Sequence, residues 1–504
     1  VNLKDAARFP NQNDRQPAWL AIAESFAHRG GMSDNSPAYD FDVAVIGAGS
    51  GGFAAARTTA AAGLKTVLID GAEELGGLCI LRGCMPTKAL LYAAEVLHLA
   101  NHADTWGIRV EEARANFVQV LARKNAVIKD FADYRVRQLR NGKFDLIQEF
   151  ASFKDAHTLQ LSNGKSLTAS SFVIATGSKL APCPLPQLAE LDCLDSDRAL
   201  SLDRLPKSIT VLGGGAVALE FAQFFSRMGT RVTLIQRSAH VLHGFDADAG
   251  TTVENAFRRE GITVYTGTKL VDARRVGEDK EIVFEHNGQT VRVRSEEIFY
   301  ALGRVPSLDS LNLDRVGVDV RYGRITTNPR MQSSQPHIYA AGDCTGLHEI
   351  VHIAIQQGET AAHNIKNPGK PRTMDYRLLT EVVFTDPQIA QVGLTEKSAH
   401  VRNIPYLAAS YPFNDHGKSI IMNVQDGFVK LLADPQTGEI IGGSCVGPSG
   451  GELIHEIIAA MHKRMTVAEL AAMPHYHPTL AEIWTYPAEE LADQIKATAE
   501  IHPG

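Results

Sequence analysis

The chain is poor in cysteine, with six in 504 residues. That excludes a disulfide-stapled scaffold, the solution of small secreted domains. It has no run of about 18 uncharged apolar residues, which excludes a membrane-spanning helix. Positive charge is not in excess either. Fifty Lys and Arg stand against 57 Asp and Glu, a formal net charge of −7, where a nucleic-acid partner calls for a basic domain. Residues 1–39 lack the unbroken apolar core of a secretory signal, because Glu24 interrupts the stretch from Trp19 to Phe26. Asp5, Asp14 and Glu24 are also unlike a transit peptide. This segment is expected to be a partly ordered extension, with Met32 as an alternative start, and the protein is expected in the cytoplasm. No cysteine pair or lipidation signal stands at the C-terminus. The rest is ordinary for a globular protein: 44% hydrophobic and 21% charged residues, with length for about three domains.

Two copies of one unit organise the chain. Residues 41–47 read FDVAVIG, an apolar strand ending in glycine. Gly47, Gly49 and Gly52 then form G-x-G-x-x-G, followed by an Ala-rich helical run and a second apolar strand ending at Asp70. In such a unit the first glycine turns tightly, the second admits a pyrophosphate, and the third lets helix pack on strand. The helix N-terminus faces the phosphates. Asp70 stands 23 residues after Gly47, placed to accept a ribose hydroxyl. The pattern returns with ITVL at 209–212, then Gly213, Gly215 and Ala218, and a strand ending at Gln236, again 23 residues on. Two units at equal internal spacing point to two nucleotide cofactors.

The second copy differs where it matters for the nucleotide. A carboxylate repels a 2′-phosphate, whereas Gln236 followed by Arg237 accepts one, because Arg binds phosphate bidentately. This site therefore leans to NADP over NAD, with His243 as a further contact. The alternative is that Arg237 is a solvated surface residue.

Two of the six cysteines are crowded together. In GGLCILRGCMPTKALL (76–91), Cys79 and Cys84 enclose four residues. Zinc sites favour closer spacing and a second ligand pair, which is missing, so no metal is expected. A disulfide across so short a loop gains little chain entropy and is readily reduced. Both facts point to a redox dithiol.

With these motifs, residues 40–490 resemble the class I flavoprotein disulfide reductases, or pyridine nucleotide-disulfide oxidoreductases. The Gly47 unit matches their FAD site, and the Cys79–Cys84 run their redox-active disulfide. Ala175, Thr176 and Gly177 match the A-T-G crossing. Gly303, Arg304 and Pro306 match G-R-x-P. Ala341, Gly342 and Asp343 match the second FAD segment, and TDPQIAQVGLTE from Thr385 opens the interface domain. Position 78, ahead of the first cysteine, is assigned to the FAD site as a glycine.

The resemblance implies an α/β fold with two Rossmann-like dinucleotide-binding domains, for FAD and NAD(P), and a C-terminal α+β dimerisation domain. The segments are 1–39 for the extension, 40–180 and 306–375 for FAD, 181–305 for the pyridine nucleotide and 376–504 for the interface. It implies that Cys84 is the flavin-proximal thiol and Cys79 the interchange thiol. It pairs Lys88 with Glu220 beside the flavin. In HYHPTLAE (475–482), it makes His477 the acid–base and Glu482 its orienter, supplied across a homodimer interface. A neutral imidazole suits that role near neutral pH, although T-x-x-E spacing also permits a capping box from Thr479 to Glu482.

Within the family, His475 and His352 lean to dihydrolipoamide dehydrogenases, with a small dithiol or a lipoyl group on a carrier protein as substrate. Gln236–Arg237 leans away from them. The alternatives are an NADPH-dependent reductase of another low-molecular-weight disulfide or persulfide, like glutathione or mercuric reductase, and a redox-sensing flavoprotein. Lack of an N-terminal C-x-x-C module and of a terminal cysteine pair disfavours mercuric reductase. Arg82, inside the dithiol loop, is expected to lower a thiol pKa or bind an anionic substrate; the alternative is a solvent-facing arginine.

Overall fold

The computed structural model describes residues 39–501, so the extension read at residues 1–39 lies outside it except for Tyr39. Strand Phe41–Ile46 runs through the middle of the first sheet. It pairs in parallel with Thr66–Ile69 on one side and Ser166–Ile174 on the other. Asp145–Ile147 extends one flank, and Ile338–Ala340 joins the other. Thr158–Leu161 and Ala151–Asp155 add an antiparallel arm. Successive strand residues feed opposite faces. Val43 and Val45 pack with Ala55, Leu68 and Leu139, while Ala44 and Ile46 pack with Phe153, Phe172 and Leu311. Burial on both faces is why this strand reads as a continuous apolar run.

A second parallel sheet runs Thr263–Tyr265, Arg231–Ile235, Ser208–Leu212, Glu297–Tyr300. Helix Ala216–Arg227 covers it with Leu219, Phe221, Phe224 and Phe225. The registers of the two sheets correspond. Ile46 pairs with Ile69 and Ile174, and Leu212 pairs with Ile235 and Tyr300. Each glycine turn thus begins one residue past the paired strand ends, and Asp70 and Gln236 occupy equivalent places, as the equal offsets predict.

Strand Ile338–Ala340 follows the second sheet in sequence yet completes the first. The chain crosses between them at a two-stranded link, Ser178–Leu180 against Arg304–Pro306. A five-stranded antiparallel sheet follows, in the order Thr380–Val383, Gln388–Gly393, Ile440–Gly447, Phe428–Ala433, Leu407–Pro412. Helices Gly450–His462 and Thr485–Ile501 pack on it, with Trp484 fully buried in the shared core. Among the described residues, no helix is long and apolar enough to cross a membrane.

Candidate active site

The two glycine turns are built alike. Gly47 has φ 101° and Gly213 φ 120°. A Cβ on either would meet a carbonyl oxygen, of Ala175 at 2.3 Å and of Ala301 at 2.4 Å, so only glycine fits. At Gly52 a Cβ would lie 1.8 Å from the Gly47 oxygen; its counterpart Ala218 is buried. Gly49 and Gly215 behave oppositely, since a Cβ there meets nothing within 4 Å. They keep the backbone approachable rather than relieve a clash. Both are N-caps, of helices Ser50–Ala61 and Ala216–Arg227, and neither helix has a side-chain cap. First-turn N–H groups left free at a positive helix end suit phosphate, so these residues fit two dinucleotides.

The residues after each turn differ. Asp70 accepts the Ala48 N–H at 2.6 Å through Oδ2 and the Ala72 N–H at 2.9 Å through Oδ1. It ties the strand end to the glycine turn and retains lone pairs for a ribose hydroxyl. Gln236 is buried against Gly214, and its Oε1 accepts the Arg237 N–H at 3.1 Å. Arg237 and His243 are exposed. No carboxylate pairs with the Arg237 guanidinium among the described residues.

Three segments meet at Ser178. Its hydroxyl donates to Asp343 Oδ2 at 2.7 Å and accepts from Arg304 Nε at 2.8 Å. Arg304 Nη2 also donates to the Ser178 carbonyl at 2.8 Å, and Thr176 Oγ1 donates to the Ser307 carbonyl at 2.7 Å. Gly177, Gly303 and Gly342 turn at these joints with φ of 70°, 115° and 80°.

Leu78–Leu81 form one helical turn, and Cys84 opens helix Cys84–Asn101. Position 78 is not a glycine but Leu78. The close approach falls one residue earlier, at Gly77, with φ 78° and a Cβ position 2.8 Å from the Gly49 Cα. Cys79 and Cys84 are both free, partly buried thiols, and they titrate as a pair. Cys84 is held down to about 7, first by the hydrogen bond from the Cys79 thiol, then, against burial, by Lys88 and its own N–H at the helix start. Cys79 is pushed far above the ordinary thiol range, first by that same hydrogen bond and then by burial. Lys88 and the helix start thus make Cys84 the more acidic thiol of the pair. Arg82 is not part of this arrangement. It is exposed and faces Glu74 at 3.5 Å, so the expected role in lowering a thiol pKa falls to Lys88.

Lys88 lies one turn beyond Cys84. Its Nζ sits 2.8 and 3.0 Å from the two oxygens of buried Glu220. The Phe384 ring lies under the ammonium at 4.6 Å, and the Phe384 N–H donates to Glu220 Oε1 at 3.0 Å. Sequence reasoning finds the pair but not Phe384, whose contribution is a backbone group that no motif marks.

His477 Nδ1 lies 3.0 Å from Glu482 Oε2 and 3.2 Å from Oε1. The His477 side chain is 78% exposed and Glu482 12%. Trp484, fully buried with Nε1 donating to the Leu453 carbonyl at 3.3 Å, pins this loop to the core. The 3₁₀ turn Ala481–Trp484 has no side-chain cap, so the Thr479–Glu482 capping box is not formed. His475 is engaged at both nitrogens, 2.6 Å from Glu456 Oε1 and 3.0 Å from the Met473 carbonyl. His352 sits in the first turn of helix Val351–Lys366, its cation disfavoured first by burial and then by His455. The sequence leaves one neighbour unseen: buried His416, whose Nε2 lies 3.2 Å from Glu482 Oε1. His98, Glu260 and Asp386 bring potential metal ligands within 4.8 Å of one another, but Arg227 pairs with both carboxylates, at 2.6 and 2.7 Å.

Residues 41–358 match the family model described as pyridine nucleotide-disulphide oxidoreductase, and residues 379–488 match its dimerisation domain. The dihydrolipoyl dehydrogenase of Thermus scotoductus is 35% identical over 90% of this chain and 98% of its own length. That of Geobacillus stearothermophilus is 33% identical over 90% and 96%. The mercuric reductase of Staphylococcus aureus is 30% identical over 95% and 86%. Among solved structures, the HOCl-induced flavoprotein disulfide reductase RclA from Escherichia coli shares the fold. It has a TM-score of 0.78 and 23% identity, covering 89% of this chain and 99% of that one.

Proposed function

Because the chain belongs to the pyridine nucleotide-disulphide oxidoreductase family, oxidoreductases of sulfur groups that use FAD and NAD(P), we propose that it works like a dihydrolipoamide dehydrogenase with a preference for NADP(H). Electrons pass between the pyridine nucleotide, the Cys79–Cys84 pair and a small dithiol or disulfide. The observation that carries this reading is the placement of two free, partly buried thiols, Cys79 just before and Cys84 at the start of the helix whose next turn holds the Lys88–Glu220 ion pair. FAD, when bound, supplies the two-electron relay between nucleotide and dithiol. Gly47, Gly49, Gly52 and Asp70 hold its phosphate and ribose end, with Thr176, Gly177, Gly342 and Asp343 at the crossing. Gly213, Gly215, Gln236 and Arg237 serve the pyridine nucleotide site, and Gly303 and Arg304 lie at the crossing that leads back to the FAD domain. Residues 40–180 and 306–375 then form the FAD domain, 181–305 the nucleotide domain and 376–504 the interface.

Each protein group has a task in this reading. Cys79 exchanges with the substrate sulfur, and Cys84, the more acidic thiol, is the one that would face bound FAD. Lys88, held by Glu220, favours the Cys84 thiolate. Glu482 holds the proton of His477 on Nδ1, which leaves Nε2 to take and return a thiol proton. The exposed His477 ring serves the dithiol of a second subunit, so the homodimer is the active form. Arg237, exposed and free of carboxylates, supports the preference for a 2′-phosphate.

A second reading, an NADPH-dependent reductase of another low-molecular-weight disulfide, is favoured by the same Arg237. Steady-state rates with lipoamide and with other small disulfides, each with NADH and NADPH, separate the two. The first predicts the highest kcat/KM with lipoamide. A lipoamide rate far below that of another disulfide would favour the second, and turnover of neither would leave a redox-sensing flavoprotein.

A further inference from the structure

Glu482 faces two imidazoles, and the proposed chemistry uses only one. His416 is fully buried at the start of the short helix Gly417–Ile421. Its Nδ1 lies 2.8 Å from the hydroxyl of Ser419, which is also buried. Its Nε2 lies 3.2 Å from Glu482 Oε1, short of hydrogen-bond geometry, and no other acceptor meets it among the described residues. The Tyr486 ring stands edge-on at 6.3 Å, and Tyr411 stacks on Tyr486 at 4.0 Å. The Tyr411 hydroxyl turns to Asp415. No Lys or Arg pairs with Glu482 among the described residues; its partners are His416 and His477.

The surroundings decide the tautomer. Burial disfavours the His416 cation, so the ring carries one proton. A carboxylate can only accept, whereas a hydroxyl can donate. The proton therefore belongs on Nε2, facing Glu482, and Ser419 donates to Nδ1. We propose that His416 is a positioning residue of the acid–base pair. Through Nε2–H it holds Glu482 and divides that carboxylate's charge between two imidazoles, weakening its pull on the His477 proton. A carboxylate facing His477 alone would favour the imidazolium more strongly. The shared arrangement fixes the His477 ring through Glu482 without committing that carboxylate to His477 alone. The inference rests on the reading of His477 as the acid–base group.

The test is a pH titration of the FAD-loaded, full-length protein with labelled histidines, followed by NMR. The His477 signal is assigned by its loss in His477→Gln. His416→Leu removes the donor and keeps out water, so the His477 titration should move up by about 0.5–1 pH unit. The acid limb of the pH profile for disulfide turnover should move with it. His416→Gln, whose amide N–H can take the place of Nε2–H, should restore both to near wild type. Ser419→Ala, which frees the tautomer, should shift both in the same direction by less. It carries the test if His416→Leu does not fold. Reduction by NADPH, which does not use His477, reports intact cofactor sites. An unmoved His477 titration in the folded variants would overturn the proposal. A moved titration with an unmoved rate profile would uphold the coupling and overturn the acid–base reading beneath it.

Discussion

Replacing Cys79 with alanine should raise the pKa of Cys84, whereas replacing it with serine should not. Cys84 sits at about 7 against an ordinary value of 9.0. That gap favours the thiolate by roughly 2.7 kcal/mol. The largest influence is the S–H of Cys79, followed among the lowering ones by Lys88 and the helix start. Alanine removes the first and leaves the others, so a rise of about one to two units is expected. At pH 7 the thiolate fraction should then fall from about one-half to roughly 1–10%. Serine keeps a hydroxyl donor, and its midpoint should stay near 7. The assay is the long-wavelength thiolate-to-flavin absorbance of the FAD-loaded variants, followed from pH 5 to 10. Most of the remaining thiols are silent near pH 7, because burial pushes Cys193 up to about 11, Cys344 up to about 12 and Cys445 higher still. A Cys183→Ser background removes the other. Equal midpoints in the alanine and serine variants would refute the idea that Cys79 sets the Cys84 thiolate.

Three further outcomes are expected. Arg237→Ala should raise the KM for NADPH at least about tenfold, because the guanidinium no longer grips the phosphate bidentately, and leave that for NADH nearly unchanged; equal effects on both would show that Arg237 does not read the 2′-phosphate. Lys88→Met leaves buried Glu220 without its cation, so chemical denaturation should show a loss of about 3–5 kcal/mol, while Lys88→Met with Glu220→Gln should recover much of it. Trp484→Ala should cost about 3–5 kcal/mol by the same measurement, and disulfide turnover should fall while reduction by NADPH survives, because the loop that carries Glu482 loses its anchor.

The parts of this protein that are legible in its sequence are those dictated by local geometry. A strand buried on both faces must be apolar throughout, and a turn whose Cβ would strike a carbonyl must carry glycine. Hence the strands at 41–46 and 208–212, the turns at Gly47 and Gly213, and the equivalence of Asp70 with Gln236 are readable from spacing alone. The five-residue step from Cys79 to Cys84 is readable for the same reason. The site's supporting contacts are not. His416 lies 66 residues before Glu482, and only the packing of the antiparallel sheet against the last helix brings them together. Ser178 joins Asp343 to Arg304 across three separate segments. Phe384 holds Glu220 through a backbone N–H, which every residue but proline possesses. Arg82 shows the converse: close in sequence to both thiols, it is turned to Glu74 because an exposed guanidinium follows the nearest accessible carboxylate.

In the proposed reaction, electrons from a pyridine nucleotide come to rest on the Cys79–Cys84 pair. Anaerobic titration of the FAD-loaded protein with NADPH, then separately with NADH, tests it most directly. One equivalent of NADPH should produce a long-wavelength thiolate–flavin band without bleaching the flavin, faster than NADH does, and Cys84→Ser should abolish the band. Bleaching at the first equivalent with no such band would contradict it.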